Sequence, residues 1–485
     1  MRTEAGSSSA GAGLPLRVRR VEAGVRDMRL RLPFRFGQVT LTRCPQLFVR
    51  AEIEVAGHGS AVGHAAEMMV PRWFDKRSER DAAHNIADLA AAFTRAAQAY
   101  ENDQPVSAFG LFERHCSALA AAGRSAGETA LSTTFGQAVL DRAVLDALCR
   151  AAKLPVHEAL AHNLPGLADT PLLPDLAGWD WNGWLRTRRP AATLQARHTI
   201  GMLDALDDEP ATLDAQALPA TLPTVIRRYG HRFFKIKLGG DPQADLDRLD
   251  AVLAVLDRLC PQHRYTLDGN EQYADTDRLA QLADGLRTLP RVAQRPQALL
   301  YLEQPLPRDG SVVDGLATLR LPVPLLLDEG DAALDSFVQA RAAGWAGISS
   351  KGCKGIWKAL ANRARCERQA SAPCTPPFLS AEDLTCQAGL SVQQDLAWAA
   401  LLGLTHAERN GHHYVDGFGP APDGEAQAFA EAHPDLYECG AGRPRLAIRD
   451  GAIALGSLFA RPGFATGALP DFDHLAPLDR APSMV

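Results

Sequence analysis

Five short stretches decide the fold of this chain, and in each a charged residue follows an apolar or β-favouring run. They read Phe234-Lys235-Ile236-Lys237, Thr266-Leu267-Asp268, Tyr301-Leu302-Glu303, Leu325-Leu326-Leu327-Asp328 and Gly347-Ile348-Ser349-Ser350-Lys351. Short runs of this kind predict buried strands. Successive strand ends in a (β/α)8 barrel face one mouth, so the five charged side chains that end these stretches are expected to converge there.

The spacing of these stretches supports a barrel. Their final charged residues lie 23 to 35 positions apart, close to the roughly 30 residues of one βα unit. Residues 241–259 carry leucine and valine at helical spacing, with weaker patterns at 276–289 and 336–343. Candidate first, seventh and eighth strands lie at 197–201, 373–379 and 402–408. The sequence therefore predicts an α/β fold with a (β/α)7-8 TIM-like barrel.

An α+β domain is predicted ahead of the barrel, from strand-like runs at 17–21 and 47–55 and three helical patterns that follow them. The predicted segments are a disordered leader at 1–15, the α+β domain at 16–163, the barrel at 164–440 and a C-terminal segment at 441–485 that returns to the α+β domain. The turn at Asp450-Gly451 predicts a hairpin within 443–458 that packs on the first domain. Residues 288–298 are predicted to form an extended surface loop, without an assigned role.

The composition excludes several classes of protein. The chain has 485 residues and a net charge of −6, so it can hold two domains but lacks the general basic field of many nucleic-acid-binding proteins. It has no apolar run of about 18 residues, so no membrane span is expected. The Gly/Ala/Ser-rich start lacks the apolar stretch of a signal peptide. Nine cysteines without a CxxC spacing indicate reduced thiols, and we expect a cytoplasmic protein.

Three carboxylates at one barrel mouth suggest a bound cation. Asp268, Glu303 and Asp328 would raise one another's pKa if they met without a counter-charge. A Mg²⁺ ion with about six oxygen ligands would resolve this repulsion. The alternative for each single residue is a helix N-cap, because Asp and Glu often begin the helix that follows a strand. The order of all three between two lysines favours the metal site.

Two lysines flank the predicted metal site. A lysine beside a metal ion or another lysine has a lowered pKa and can act as a base, so Lys237 and Lys351 are candidates to remove and return a proton. The proton would be the one α to a substrate carboxylate, which a metal ion acidifies. Lys235 shares the strand parity of Lys237 and is expected to hold it by electrostatics or to contact the substrate carboxylate. The alternative for each lysine is a solvated surface charge.

The complete set of motifs resembles the enolase superfamily, and within it the muconate-lactonizing-enzyme branch of the mandelate racemase/muconate lactonizing enzyme family. The matching motifs are Lys235-x-Lys237, Asp268-x-Asn270, Glu303-Gln-Pro305, Asp328-Glu329 and Lys351-x-x-Lys354-Gly355. The resemblance extends over roughly residues 17–460 and is strongest between 230 and 360.

This resemblance implies roles for further residues. It implies Mg²⁺ held by Asp268, Glu303 and Asp328, with Asn270 and Glu329 next to them. It also implies that the N-terminal domain caps the barrel mouth and that its loops, near 33–37 and 64–76, choose a small carboxylate substrate. Glu408 could receive an ammonium group, as in the family's amino-acid and dipeptide epimerases, or pair with a neighbour of Arg409. The capping residues that are candidates to contact substrate are Arg35, His64, Trp73 and Lys76. A homo-oligomer is expected by the same analogy.

Three functions follow from these observations. The first is a Mg²⁺-dependent isomerase that racemises, epimerises or cycloisomerises a small carboxylic acid through an enediolate. The second is a lyase that dehydrates an acid sugar or a succinylbenzoate-type precursor with syn geometry. The third is a non-catalytic barrel that only binds a ligand. The complete Lys-Asp-Glu-Asp-Lys set favours the first. The identity of the acid and the number of subunits stay open.

Overall fold

An antiparallel sheet backed by three helices forms the N-terminal domain. The structure is a computed structural model that describes residues 13–208, 218–310, 316, 319–370, 375–439 and 442–480. The sheet pairs β1 (Leu16–Phe36), β2 (Val39–Val55) and β3 (Gly59–Met68) in chain order. The helices are α1 (Ala82–Glu101), α2 (Ala108–Ser125) and α3 (Ala130–Ala151). Each begins after a side chain that accepts a hydrogen bond from the first helical turn, from Asp81, Ser107 and Thr129 in order.

A closed barrel of eight parallel strands follows, as the sequence predicts. The strands are β4 (Thr193–Ile200), β5 (Phe233–Lys237), β6 (Arg264–Asp268), β7 (Leu299–Glu303), β8 (Leu325–Leu327), β9 (Gly347–Ser350), β10 (Phe378–Ala381) and β11 (His406–Arg409). They pair in chain order, and β11 pairs with β4 to close the ring. Closure removes the unpaired strand edges that an open sheet would leave.

Helices cover the outside of the barrel and lead into it. They are α4 (Val156–Ala161), α5 (Trp181–Thr187), α6 (Leu222–Tyr229), α7 (Pro242–Leu259), α8 (Thr276–Thr288), α9 (Pro290–Gln294), α10 (Ser336–Ala342), α11 (Ile356–Arg368), α12 (Leu390–Leu401), α13 (Gly411–Tyr414) and α14 (Asp423–Ala432). In α7 the predicted apolar stripe is buried, at Leu249, Val252, Leu253 and Leu256. This burial confirms the predicted helix at 241–259.

The hairpin predicted in the C-terminal segment packs elsewhere than expected. A tight turn does form at Asp450-Gly451, where both residues have positive φ (50° and 76°), as a two-residue type I′ turn requires. The strand after the turn, β14 (Ala452–Ala454), pairs with β4 of the barrel and not with the first domain. The prediction that the hairpin packs on the first domain is therefore wrong. Its other run, β13 (Arg445–Leu446), pairs with β12 (Tyr437–Glu438), and the later strand β15 (Ala476–Pro477) pairs with β1.

Two further expectations need correction or restriction. Residues 288–298 do not form an extended loop, because α9 and a 3₁₀ turn at Pro296–Ala298 occupy most of them. Pro290 at the first helical position explains this, since its fixed φ suits a helix start. In the predicted leader, residues 1–12 lie outside the described residues, and the Leu14 amide donates a hydrogen bond to the carbonyl of Leu164. The predicted seventh strand begins later than expected, at Phe378.

The cysteines of the described ranges are all free thiols. Cys353 lies between two lysines in sequence, but burial raises the pKa of its thiol well above the ordinary value. It is therefore not an activated thiol. Within the same ranges no helix has the length and apolar character that a membrane crossing requires.

One buried carboxylate joins the N-terminal domain to the C-terminal segment. Asp146 in α3 is fully buried and accepts hydrogen bonds from the amides of His64 (2.9 Å) and Phe464 (2.7 Å). It also accepts from Arg150 Nε at 2.9 Å and from the Thr466 hydroxyl. These four donors come from β3, α3 and the C-terminal segment, so one side chain fixes their relative positions.

Replacing this carboxylate should destabilise the fold. We expect Asp146→Ala to lower the free energy of unfolding by about 3 kcal/mol or more, because it leaves several buried donors without an acceptor. Urea unfolding followed by circular dichroism measures the change. The matched control is Asp473→Ala, which removes an exposed carboxylate from the same C-terminal segment. Equal stability of the two variants would contradict the linking role of Asp146.

Candidate active site

Two lysines face each other across the barrel mouth. Lys237 ends β5, and Lys351 directly follows β9. In the closed ring of eight strands, β5 and β9 are four places apart, so their ends lie on opposite sides of the mouth. Both lysines line one narrow cavity there. The two lysines therefore lie on opposite sides of one site.

The three predicted metal ligands occupy the arc of strands between these lysines. Asp268 and Glu303 end β6 and β7, and Asp328 directly follows β8. All three are fully buried. Lys237 Nζ lies 2.6 Å from a carboxylate oxygen of Asp268, and Lys351 Nζ lies 2.7 Å from one of Asp328. Each lysine on the rim therefore pairs with the carboxylate next to it.

Lys235 lies deeper in the barrel than Lys237 and is surrounded by carboxylates. Its Nζ lies 3.0 Å from Asp268, 2.7 Å from Glu303, 2.8 Å from Glu382 and 3.0 Å from Glu408. Burial lowers the pKa of Lys235, but these four carboxylates outweigh burial and raise it well above the ordinary value. Lys235 therefore acts as a fixed cation at the centre of the barrel, and no contact with Lys237 is needed to explain its position.

The opposite arc of the mouth carries two more carboxylates. Glu408 lies in β11, accepts a hydrogen bond from the Thr199 hydroxyl at 2.6 Å and is nearly fully buried. Glu382 follows β10 and forms an ion pair with the fully buried Arg197 of β4. Tyr301 Oη also donates to Glu382, at 2.9 Å. Glu408 was expected near the mouth, whereas sequence reasoning did not single out Glu382 and Arg197.

The signal for Glu382 was present but weak. Glu382 follows the run Phe378–Ala381, as the other carboxylates follow theirs, but that run contains a serine and only four residues. Arg197 was included only as the start of a candidate strand, since an arginine inside a barrel has no local signature. Its partner lies 185 positions away.

The charged groups of the protein itself set the pKa of Lys351. Burial lowers the pKa of Lys351, but Asp328 raises it by more, so its pKa lies above the ordinary value. The lowering expected for a lysine beside a bound metal ion stays a prediction. Burial, Asp268 and Glu382 together raise the pKa of Glu303 well above its ordinary range. The site thus contains one carboxylate with too little positive charge next to it.

The backbone is strained directly after the predicted ligands. Asn270, Glu271 and Gln304 have positive φ values of 41°, 66° and 31°, which cost non-glycine residues of order 1 kcal/mol or more each and tend to cluster at functional sites. Side-chain contacts hold these conformations. Gln304 Oε1 accepts hydrogen bonds from the amides of Asp328 (2.9 Å) and Gly330 (3.0 Å). The loop after β7 therefore positions Asp328, the predicted ligand that directly follows β8.

Asn270 and Glu329 lie beside the ligands, as expected. The backbone N–H of Asn270 donates a hydrogen bond to Asp268 Oδ1 at 2.9 Å. The side-chain amide of Asn270 donates to Glu329 Oε1 at 3.2 Å. Lys76 of the N-terminal domain lies 3.4 Å from Glu329 and donates to the Asn270 carbonyl at 2.9 Å. Asn270 Oδ1 and Glu329 Oε2 are buried without a hydrogen-bond partner among the described residues.

The N-terminal domain covers the mouth with aromatic side chains. Phe34 and Phe36 of β1 place their ring centres 5.8 Å and 6.0 Å from Lys237 Nζ. Trp73 places its ring centre 4.4 Å from Lys351 Nζ. Val70 and Leu384 complete the apolar part of the cavity wall, and Asp383, Thr385 and Asn410 add polar groups. The wall of the cavity therefore has an apolar side from the N-terminal domain and a polar side from the residues after β10 and β11.

Two predicted substrate contacts are not brought to the mouth. Arg35 lies between Phe34 and Phe36 on an extended strand, so its side chain points the other way and is exposed. His64 is buried in the N-terminal domain, where its ring lies 5.9 Å from Phe472 and 3.9 Å from Asp146. The phenylalanines beside Arg35 are the residues of that loop that reach the cavity.

The three carboxylates have the donor chemistry of a Mg²⁺ site. Hard oxygen ligands are those that Mg²⁺ prefers, and both side-chain oxygens of Glu303 are buried without a hydrogen-bond partner among the described residues. Lysines contact all three carboxylates: Lys235 and Lys237 at Asp268, Lys235 at Glu303, and Lys351 with Lys354 at Asp328. These contacts balance part of the negative charge of the carboxylates. The side-chain oxygens of Asp268, Glu303 and Asp328 are donor atoms of the kind that a divalent cation such as Mg²⁺ binds.

Comparison with known families gives one match. Residues 218–436 match the family model described as enolase C-terminal domain-like. This segment contains the strands from β5 to β11, and with them Lys235, Lys237, Asp268, Glu303, Asp328, Lys351, Glu382 and Glu408. Arg197 of β4 and Lys76 of the N-terminal domain lie outside it. Comparison with curated protein sequences finds no significant match.

Several solved structures share the fold over nearly the whole chain. A muconate lactonizing enzyme from Mycobacterium smegmatis, complexed with muconolactone, is 17% identical, covers 94% of this chain and 98% of its own, and has a TM-score of 0.58. A dipeptide epimerase from Enterococcus faecalis, complexed with Mg and the dipeptide L-Leu-L-Tyr, is 15% identical. The match covers 93% of this chain and 99% of the epimerase, with a TM-score of 0.56. An enolase from Bradyrhizobium, complexed with magnesium and mandelic acid, is 19% identical. The match covers 91% of this chain and 93% of the enolase, also with a TM-score of 0.56. At these identities the likeness concerns the fold.

Neutralising Glu382 should destabilise the barrel. Glu382→Gln leaves Arg197 and Lys235 with less negative charge in a buried environment, so we expect the free energy of unfolding to fall by about 3–5 kcal/mol. Urea unfolding measures the loss. The control is Glu54→Gln, whose partner Arg19 is half exposed, and for which we expect a change below about 1 kcal/mol. A similarly small change in Glu382→Gln would show that the buried charges are balanced without it.

Proposed function

We propose, from the membership of this barrel in the enolase superfamily, that the chain isomerises a small carboxylic acid by moving its α-proton between two lysines. The observation that carries the proposal is the placement of Lys237 and Lys351 on strands four places apart in the ring. A substrate between them would present one face of its α-carbon to each lysine. One lysine then removes the proton, and the other delivers a proton to the opposite face, so the product has the mass of the substrate.

The carboxylates on the arc between the lysines supply the site for a cation. Asp268, Glu303 and Asp328 would hold Mg²⁺, which when bound acidifies the α-proton and stabilises negative charge on the substrate carboxylate. Lys237 and Lys351 pair with the carboxylates at the two ends of this arc. An acid bound to the cation would therefore lie between the two lysines, with one on each side of it. Lys235 stays bound to its four carboxylates and takes no part in proton transfer.

The apolar cover excludes water and limits the substrate. Phe34, Phe36 and Trp73 lie over the two lysines, so the intermediate enediolate is kept from bulk solvent, which limits its loss to side reactions. The same rings would contact an apolar part of a small acid. The polar group formed by Asp383, Thr385 and Asn410 lies on the side of β10 and β11 and is placed to bind a polar substituent of that acid.

Deuterium exchange tests the two-lysine mechanism. We expect the protein with Mg²⁺ to exchange the α-proton of both stereoisomers of its substrate in D₂O, as followed by mass spectrometry over a panel of amino acids, dipeptides, acid sugars and aryl acids. Lys237→Met and Lys351→Met should each lose interconversion of the stereoisomers by roughly 10²–10⁴-fold. Each variant should keep exchange with the stereoisomer that its remaining lysine faces.

The exposed Lys153→Met variant, outside the barrel mouth, serves as the matched control and should keep full activity. Interconversion that survives in Lys351→Met would overturn the two-lysine mechanism. A product lighter by one water would identify a dehydratase that uses the same enediolate. If no acid of the panel exchanges and no Mg²⁺ binds, the barrel is a binding module and the proposal fails.

Metal binding gives a test without turnover. We expect the full-length protein to bind Mg²⁺ in isothermal titration calorimetry, because both oxygens of Glu303 lack a hydrogen-bond partner among the described residues. Glu303→Gln should weaken binding by at least about 10-fold, the smaller loss typical of even indirect metal contacts. Glu54→Gln, which changes an exposed carboxylate, should bind as the unmodified chain does. Unchanged affinity in Glu303→Gln would place the cation elsewhere.

A further inference from the structure

Four histidines meet on the outside of the barrel wall, away from the mouth. His198 lies in β4, His231 precedes β5, and His412 and His413 lie in α13 after β11. Arg197 and Thr199 on either side of His198 contact the carboxylates inside the barrel. His198 therefore points outward, because side chains alternate along a strand. The cluster lies where the last strand of the ring closes onto the first.

The rings are close enough to share a ligand. The ring centres of His198, His231 and His412 lie 5.1 to 5.3 Å apart in all three pairs. One nitrogen from each ring can be chosen so that all three lie within 4.8 Å of one another. His231 Nε2 and His412 Nε2 are 3.2 Å apart. Two nitrogens bound to one tetrahedral zinc ion at about 2.0–2.1 Å would be separated by about 3.3 Å.

The hydrogen bonds of His231 fix its tautomer, and its Nε2 lies at hydrogen-bond distance from Nε2 of His412. His231 Nδ1 lies 3.2 Å from the carbonyl oxygen of Ala196. Since a carbonyl only accepts, Nδ1 carries the proton, and Nε2 of the neutral ring presents a lone pair toward His412. A backbone carbonyl that orients a histidine in this way is the usual outer contact of a metal-binding histidine.

Other nitrogens of the cluster lack partners altogether. Nδ1 of His198, of His412 and of His413 is buried without a hydrogen-bond partner among the described residues. His198 and His413 are only 1% and 2% exposed. Three unpaired ring nitrogens in one place are unusual, because buried polar groups are normally satisfied. A bound ion would replace the contact between Nε2 of His231 and Nε2 of His412 and would lie beside the ring of His198, which lacks a partner at Nδ1.

The charge state of the rings suits a metal ion. Burial lowers the pKa of His231 to about 4 and that of His413 to about 3, and it lowers the pKa of His198 and His412 well below the ordinary value. The rings are therefore uncharged at neutral pH, as ligands must be. The nearby arginines are engaged elsewhere: Arg31 donates to the His413 carbonyl, and Arg409 pairs with Asp395. Asp204 lies 3.9 Å from His413 Nε2 and is the nearby negative charge.

We propose that His198, His231 and His412 form a binding site for a divalent transition-metal ion of the Zn²⁺ class, distinct from the carboxylates of the barrel mouth. Imidazole nitrogens select such ions over Mg²⁺ and Ca²⁺, which prefer oxygen. His412 is partly exposed and lines a groove with Tyr229 and Arg445, which gives the ion a path from solvent. The bound ion would link three parts of the chain: β4, the segment that precedes β5, and the helix α13. It would thereby stabilise the barrel where β11 pairs with β4.

Metal titration of the full-length protein tests this site. The protein is first treated with a chelator and then saturated with Mg²⁺, so that the barrel mouth is occupied by its own ion. We expect one equivalent of Zn²⁺ to bind, as measured by competition with a chromophoric chelator, and to raise the midpoint of thermal unfolding. Co²⁺ in place of Zn²⁺ should give the visible absorption of a nitrogen-bound tetrahedral ion.

Variants assign the ligands. His412→Gln should weaken Zn²⁺ binding by at least 10-fold and remove the Co²⁺ absorption, whereas His412→Cys, which keeps a ligand atom, should restore part of the affinity. The exposed His84→Gln and the mouth variant Glu303→Gln should both bind Zn²⁺ as the unmodified chain does. Absence of Zn²⁺ binding to the unmodified chain, or unchanged binding in His412→Gln, would overturn the proposal. The Co²⁺ spectrum of the unmodified chain tests the nitrogen ligands even if a variant fails to fold.

Discussion

The ammonium group of Lys235 is the charge on which the interior of the barrel depends. Four carboxylates, from β6, β7, β10 and β11 or the residues directly after them, lie within 3.0 Å of it. Each would be too costly to bury as an anion without a positive charge beside it. The second internal cation, Arg197, neutralises the side of Glu382 that faces away from Lys235. Strands from both halves of the ring are therefore held to one point by ionic contacts and not by apolar packing alone.

This central charge leaves the rim free for chemistry. Lys235 neutralises carboxylates deep in the barrel. Lys237 and Lys351 at the rim therefore need to balance only the carboxylate beside each of them, Asp268 and Asp328 respectively. The remaining imbalance falls on Glu303, where the pKa is raised and both oxygens lack hydrogen-bond donors among the described residues. The deficit lies in the middle of the arc between the two rim lysines. A cation bound there would complete the charge balance, and the rigid interior would hold its ligands in place.

The sequence predicted the parts of the site that follow a local rule. Lys237, Asp268, Glu303, Asp328 and Lys351 each follow a short apolar or β-favouring run, so strand ends and barrel topology were enough to bring them together. Arg197 and Glu382 were missed because their pairing depends on the closure of the ring, which no spacing reveals. The cluster of His198, His231 and His412 joins residues up to 214 positions apart, with no shared motif.

The errors in the capping domain have a similar origin. Arg35 was selected for its charge, but the register of β1 against β2 shifts between Arg29 and Phe34. The side chains that face the mouth after this irregularity are Phe34 and Phe36. Charge alone did not show which face of the strand the arginine would take. His64 was selected by its position in a predicted loop, whereas it lies within β3 and its backbone is tied to Asp146.

The pairing of β1 with β15 has a consequence for the order in which the chain is made. On the edge of β1 that faces away from β2, Gly24 and Val25 pair with Pro477 and Ala476, which are synthesised after the entire barrel. Domains generally fold as units during synthesis, the N-terminal one first. Here the first sheet stays incomplete at this edge until the residues that follow the barrel have been synthesised. The N-terminal sheet therefore depends on a strand that the chain supplies only after all eight barrel strands.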